Sequence, residues 1–197
     1  MKFKFLGCEI YVSFLFCALI TVMIAFDKTG LIVPTLCAVL FHEMGHLFCM
    51  WLEDIAPKRI KLIPSSVQIT SDITARYKTD IKVSLFGPLV NFFLFIVLYI
   101  NFYIFKNQIT LIFSLINLII GCFNLLPLKG LDGGRVIYSI IASKKDIAKA
   151  NLALKAITLI FSVILIFVSV FLSFRKIFNP SLYIIALYFL ILSLAKE

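Results

Sequence analysis

The segment Phe41-His42-Glu43-Met44-Gly45-His46 contains the only two histidines of a 197-residue chain, with a glutamate directly after the first. At positions i and i+4 of a helix the two imidazoles share one face, with Cβ atoms about 5–6 Å apart, close enough to hold one ion. H-E-x-x-H is the spacing in which two histidines bind zinc and the glutamate activates a water. A catalytic zinc takes three protein ligands and keeps one position open. With no third histidine, the third ligand has to be a carboxylate or a thiolate at the same depth. Glu9, Asp72, Asp80 and Asp146 lie near chain ends or in charged loops. Asp132, in "NLLPLKGLDGGR", follows an apolar run, and Gly133 and Gly134 after it permit close backbone approach. Cys49, three residues past His46 on the same face, is the rival ligand.

These groups sit in unusual surroundings. The chain is 62% hydrophobic, 15% charged and has a mean hydropathy of +1.07, outside the range of a soluble domain. It reads as one all-α polytopic membrane domain, residues 1–197, with no linker dividing it. Ionisable groups at membrane depth are costly and mark function, and no Lys or Arg lies in the span that carries Glu43. Five cysteines without a CxxC pair, all in apolar runs, read as packing residues rather than a disulfide framework. The net charge of +9 lies in short loops without interleaved aromatics, which fits membrane orientation and not nucleic acid.

About 20 apolar residues cross a bilayer. Six spans are expected on that measure: 5–26, 31–52, 83–105, 109–126, 154–174 and a short last one at 182–194. "GRVIYSIIAS" is too short to cross and reads as a surface helix. With the N-terminus inside, 15 of the 19 basic residues fall on the cytoplasmic side, so both termini are expected there. His46 then lies six residues before Leu52, about 9 Å below the cytoplasmic end. In "IKLIPSSVQIT", Ile60, Leu62, Val67 and Ile69 alternate with polar residues about Pro64-Ser65-Ser66, the pattern of a small β-hairpin at the cytoplasmic face. Its edge offers strand addition to an unwound substrate; the alternative is an amphipathic surface loop.

Three stretches in order, "FHEMGH", "FGPLVN" (residues 86–91) and "NLLPLKGLDGGR" (124–135), resemble the site-2 proteases, the intramembrane zinc metalloproteases. The short layout and "KRIKLIPSSVQI" look most like the stage IV sporulation protein FB branch, with Ser65-Ser66 where that branch has a Gly-Gly pair. The resemblance implies Zn2+ held by His42, His46 and Asp132, with Glu43 as general base. It implies that Asn124 organises substrate or developing charge, that Pro127 breaks the fourth span so that Asp132 turns inward, and that Gly133 allows that turn. Gly87, Pro88 and Asn91 match the third-span motif; a helix kink with a packing asparagine would account for them equally. The implied substrate is a membrane-associated protein, in that branch a membrane-tethered pro-sigma factor, and the implied partners include an inhibitory or regulatory membrane protein. That branch commonly carries a nucleotide-sensing CBS domain after its last span, and the ending at Glu197 leads to the expectation that none follows.

Two other function classes fit parts of the pattern. A metal transporter uses intramembrane His and Glu, but it needs polar residues along a path, and within the last two spans, apart from Lys155 at one end and two tyrosines, the polar residues are only Ser and Thr. A non-catalytic pseudoprotease would not need both "HEMGH" and "LDGG" intact. A zinc protease with Glu as third ligand is disfavoured because Glu197 is the only acidic residue after Asp146.

Overall fold

The computed structural model of the chain describes residues 2–5, 8–57, 59–63, 66–70, 77–144, 146–176 and 179–194. Two compact units are present, Met1–Cys122 and Phe123–Glu197.

The first unit opens with strands β1 (Lys2–Phe5) and β2 (Cys8–Val12) and then helix α1 (Phe14–Ala25). This adds two strands to the expected helices and small hairpin, and it corrects one boundary: the first apolar helix starts at Phe14 rather than at residue 5. The cause is pairing that local hydropathy does not reveal. β1 runs antiparallel to β2 with Lys4 opposite Glu9, and β2 runs parallel to β3 (Arg59–Ile63) with Glu9 opposite Arg59. Glu9 accepts from Arg59 Nη2 at 2.9 Å and Nε at 3.1 Å, and Lys4 Nζ lies 3.8 Å away. A parallel pair needs a long crossover. Here it is the hairpin of α1 and α2 (Ile32–Leu52), so the start of α1 and the end of α2 lie at one end of the sheet.

The expected hairpin is present. β3 pairs antiparallel with β4 (Ser66–Thr70), with Ile60 opposite Ile69 and Leu62 opposite Val67, and the sheet order is β1-β2-β3-β4. Pro64 and Ser65 of the expected turn lie outside the described residues, as does Asp72.

α2 is fixed at both ends. At its start, Asp27 Oδ1 accepts from the Thr29 and Gly30 amides and the Thr29 hydroxyl, and Oδ2 from the Ile32 amide at 2.9 Å. The carboxyl is held down to about 2, chiefly by the Ile32 amide and then by the Thr29 hydroxyl. At its end, Asp54 adopts φ 55°, the Asp54 amide bonds the Trp51 carbonyl, and the Ile55 amide bonds the Met50 carbonyl at 2.9 Å. That is a Schellman closure, and its Met50–Ile55 apolar contact joins a cluster with Cys49, Val83 and Phe86. α3 (Tyr77–Phe105) packs on α2, and Lys82 Nζ donates to Glu53 Oε1 at 2.6 Å across their ends. α4 (Gln108–Asn124) starts where the Asn107 side chain accepts from the Ile109 amide.

The second unit contains α5 (Asp132–Lys144), α6 (Ile147–Phe174) and α7 (Pro180–Leu194). α6 packs on both α5 and α7, and buries a Ser/Thr stripe whose hydroxyls bond carbonyls of their own helix. The short helix expected at "GRVIYSIIAS" is α5.

α2, α3 and α6 are long and apolar enough to cross a membrane; α1, α4 and α7 are apolar but shorter. Large apolar side chains of α2 such as Leu40, Met44, Phe48 and Trp51 face outward, the opposite of a soluble protein. This is a membrane protein.

Candidate metal centre

The buried face of α2 reads Ala38, His42, Gly45, His46, Cys49, Met50, a 3–4 spacing that turns both histidines toward α3. α3 meets it with Val83, Ser84, Gly87, Pro88 and Asn91. The two helices come close because their facing residues are glycines. A Cβ on Gly45 would lie 2.8 Å from the Phe86 carbonyl oxygen and 2.9 Å from Val90 Cγ2. A Cβ on Gly87 would lie 2.5 Å from His46 Cε1 and Nε2 and 2.8 Å from His42 Nε2. Gly87 is the floor on which both imidazoles lie.

Each imidazole spends its Nδ1 on an acceptor. His42 Nδ1 is 2.6 Å from Asn91 Oδ1, and His46 Nδ1 is 2.8 Å from the Val83 carbonyl. With Nδ1 carrying the proton, Nε2 of each ring offers its lone pair. The two Nε2 atoms face each other at 3.2 Å, with the rings edge to face. Two lone pairs at that distance repel unless a cation lies between them. A tetrahedral zinc with Zn–N bonds of about 2.0–2.1 Å separates two of its nitrogens by about 3.3 Å. The donor pair therefore fits zinc in atom type, tautomer and spacing. Asn91 and Val83 are the outer partners that orient such ligands, so Asn91 does more than pack at a helix kink. Pro88 removes the amide that would bond the Ser84 carbonyl. The Ser84 hydroxyl, on the same face one turn before Gly87, is the buried side-chain polar atom without a partner among the described residues.

Glu43 follows His42 on α2 and is half-buried. Asn124 ends α4, and Pro127 comes three residues later, where the chain no longer needs helical amides.

In the second unit Asp132 is the first residue of α5 and is buried, a favourable place for a carboxylate beside unbonded helix amides. The chain reaches it through a tight path. The Leu128 amide bonds the Leu126 carbonyl at 2.8 Å, the Lys129 amide bonds Thr158 Oγ1 of α6 at 2.9 Å, and Gly130 turns with φ 92°. A Cβ on Gly133 would collide with the Leu125 carbonyl, and one on Gly134 with the Leu128 carbonyl. Only glycines let α5 begin against this loop.

His42 and His46 in the first unit and Asp132 in the second are all buried, and each offers an atom of the kind that ligates a metal ion. The sequence rivals are engaged otherwise. Glu9 is half-exposed and paired with Arg59, which holds its carboxyl below the usual range, and Cys49 belongs to the apolar cluster with Met50, Ile55 and Val83.

Two contributors escaped the motif reading. The Val83 carbonyl is a backbone group and leaves no sequence signal. Asn117 on α4, whose Oδ1 accepts from Asn91 Nδ2 at 3.0 Å, does leave one. It is a polar residue in an apolar helix, and it shares a 3–4 spaced face with Ser114 and Gly121.

No protein-family profile matches the chain. It is 29% identical to a zinc metalloprotease of Methanocaldococcus jannaschii over 87% of its own length and 58% of that protein, so it spans little more than half of that relative. It superposes on the solved site-2 protease from Methanocaldococcus jannaschii with a TM-score of 0.73 and 24% identity, covering 100% of this chain and 96% of that one; there the likeness is one of fold. In fold the chain is similar to a solved site-2 protease, and in sequence it is similar to a zinc metalloprotease.

Proposed function

We propose that this chain is a zinc-dependent intramembrane endopeptidase, its two units acting as one metalloprotease domain over residues 1–197. The observation that carries this reading is the 3.2 Å approach of the two histidine Nε2 atoms, each with its Nδ1 committed elsewhere. His42, His46 and Asp132 would hold the ion. When bound, zinc polarises a carbonyl and brings a water's pKa near 7.

The chain's own residues supply the rest. Glu43 takes the proton from the water that attacks the scissile carbonyl and delivers it to the departing amine, so one carboxylate serves both halves of the reaction. Asn124 donates to the carbonyl oxygen as charge builds there. Asn91 and the Val83 carbonyl keep the histidine lone pairs aimed inward through the cycle. Pro127 and Gly133 let the Asp132 loop reach its place.

The finer form of the reading concerns topology and substrate. Six crossings, α1, α2, α3, α4, α6 and α7, with both termini cytoplasmic, are supported by the apolar helices and by the distribution of basic residues. The active site then lies near the cytoplasmic face, and the β3–β4 hairpin, with β4 at the sheet edge, supports capture of an unwound segment by strand addition. The resemblance to the sporulation branch supports a membrane-tethered regulator, such as a pro-sigma factor, as substrate, with a membrane partner controlling it.

The test is substrate trapping in cells carrying Glu43→Gln. Membrane-anchored proteins should accumulate uncleaved and co-purify with the variant. An unchanged membrane proteome, with no co-purifying anchored protein, would remove the endopeptidase reading.

A further inference from the structure

Behind the histidines lies a second layer of polar groups with a fixed direction. Asn91 Nδ2 lies 3.2 Å from the Ala38 carbonyl and 3.0 Å from Asn117 Oδ1, and Asn117 Nδ2 lies 2.9 Å from the Phe113 carbonyl. Both asparagines are fully buried. We infer that Asn117 is a positioning residue that, through Asn91, decides which nitrogen of His42 faces the metal site.

The direction follows from what each group can do. A carbonyl only accepts, so the end of Asn117 facing Phe113 is its NH2 and the end facing Asn91 is its oxygen. Asn91 then meets two acceptors, the Ala38 carbonyl and Asn117 Oδ1, and its NH2 has one hydrogen for each. The remaining end of Asn91, its oxygen, is the end turned to His42. His42 must donate from Nδ1, which leaves the Nε2 lone pair for the ion. Turning the Asn91 amide over would set its oxygen against two acceptors and its NH2 against His42, reversing the tautomer and closing the ligand position. Ala38 alone holds only one of the two hydrogens. Asn117 holds the other, and in an apolar surrounding no solvent substitutes for it.

The fold is built to bring Asn117 there. Ser114, Asn117 and Gly121 form the buried face of α4. A Cβ on Gly121 would stand 3.2 Å from the Phe92 ring and 3.3 Å from Asn91 Cβ, tighter than ordinary packing, so the glycine sets how near α4 comes to Asn91.

The chain's two histidines make the test clean, because protein labelled with 15N-histidine contains two imidazoles. Zinc-free wild type in detergent should show His42 protonated at Nδ1 with a free Nε2 lone pair. Asn117→Leu should give mixed His42 tautomers and a zinc Kd, by chelator competition, raised roughly 10- to 100-fold. Asn117→Asp, protonated at this depth, keeps an oxygen toward Asn91 and a donor toward Phe113, and should restore most of the affinity and the single tautomer. The inference fails if Asn117→Leu keeps wild-type zinc affinity and His42 signals, or if Asn117→Asp loses as much as Asn117→Leu. It also fails if zinc-free wild type carries the His42 proton on Nε2, which decides the matter even where Asn117→Leu does not fold. The affinity readout rests on the proposed metal site. Wild type that takes up no zinc yet shows the Nδ1–H form would count against that function and for the orientation argued here.

Discussion

His42 and Asn91, 49 residues apart on antiparallel helices, meet at 2.6 Å, Nδ1 to Oδ1, on the buried faces of two long membrane helices. The contact joins "FHEMGH" to "FGPLVN" by one bond, and it fixes which ring nitrogen of His42 carries the proton. Asn91→Leu should therefore lower zinc affinity roughly 10- to 100-fold, as removal of an outer partner does. Chelator competition on purified protein reads this directly. Unchanged affinity would mean that His42 orients itself without Asn91.

Gly87→Ala tests the floor of the site. The new methyl would stand 2.5 Å from His46 ring atoms, so the imidazoles must leave their positions. Overpacking of this kind costs about 1–3 kcal/mol. Zinc should be lost while the helical circular dichroism stays. Val83→Ala, which keeps the carbonyl that holds His46 Nδ1, should retain zinc.

Asp27 makes the α1–α2 loop sensitive to acid. Its folded pKa of about 2 lies below the ordinary 3.8, so the protein with Asp27 charged gains stability above the ordinary value and loses it as pH falls toward 2. Asp27→Ala should melt below wild type in detergent at neutral pH, and the gap should narrow between about pH 4 and pH 2. A gap independent of pH would show that the loop does not depend on the charge.

The third ligand separates three carriers that composition and spacing leave open. Asp132→Asn should weaken zinc binding, whereas Glu9→Gln and Cys49→Ala should leave it within experimental error, because Glu9 pairs with Arg59 and Cys49 packs in an apolar cluster. Titration of the three purified variants with zinc gives the answer. Full affinity in the Asp132 variant would send the search back to the other two.

Much of this architecture was legible in the residues. Apolar runs located the helices because a membrane helix is recognised by hydropathy alone, and H-E-x-x-H placed two histidines on one buried face because its spacing is that of one helix face. The β3–β4 hairpin showed in the alternation of Ile60, Leu62, Val67 and Ile69, which became direct cross-strand partners. The N-terminal strands did not show. Cys8–Val12 read as part of an apolar span, and the partner that makes them a strand, Arg59–Ile63, lies some 50 positions on. Long-range pairing of this kind has no local signature. For the same reason Val83, which acts through its backbone carbonyl, could not be found in advance. Asn117 could have been, from its place on the polar face of α4.

The central claim, that His42 and His46 help hold a zinc on which Glu43 acts as base, is tested most directly by one paired measurement on purified Glu43→Gln. Zinc per chain is read by elemental analysis, and cleavage of a fluorescein-labelled unfolded protein such as casein is followed in detergent, both beside wild type. The account predicts one zinc per chain in both proteins and cleavage by the variant lower by about 10²- to 10⁴-fold, the usual contribution of a positioned general base. Cleavage by Glu43→Gln at the wild-type rate, or wild-type protein that cleaves equally well with no zinc bound, would contradict it.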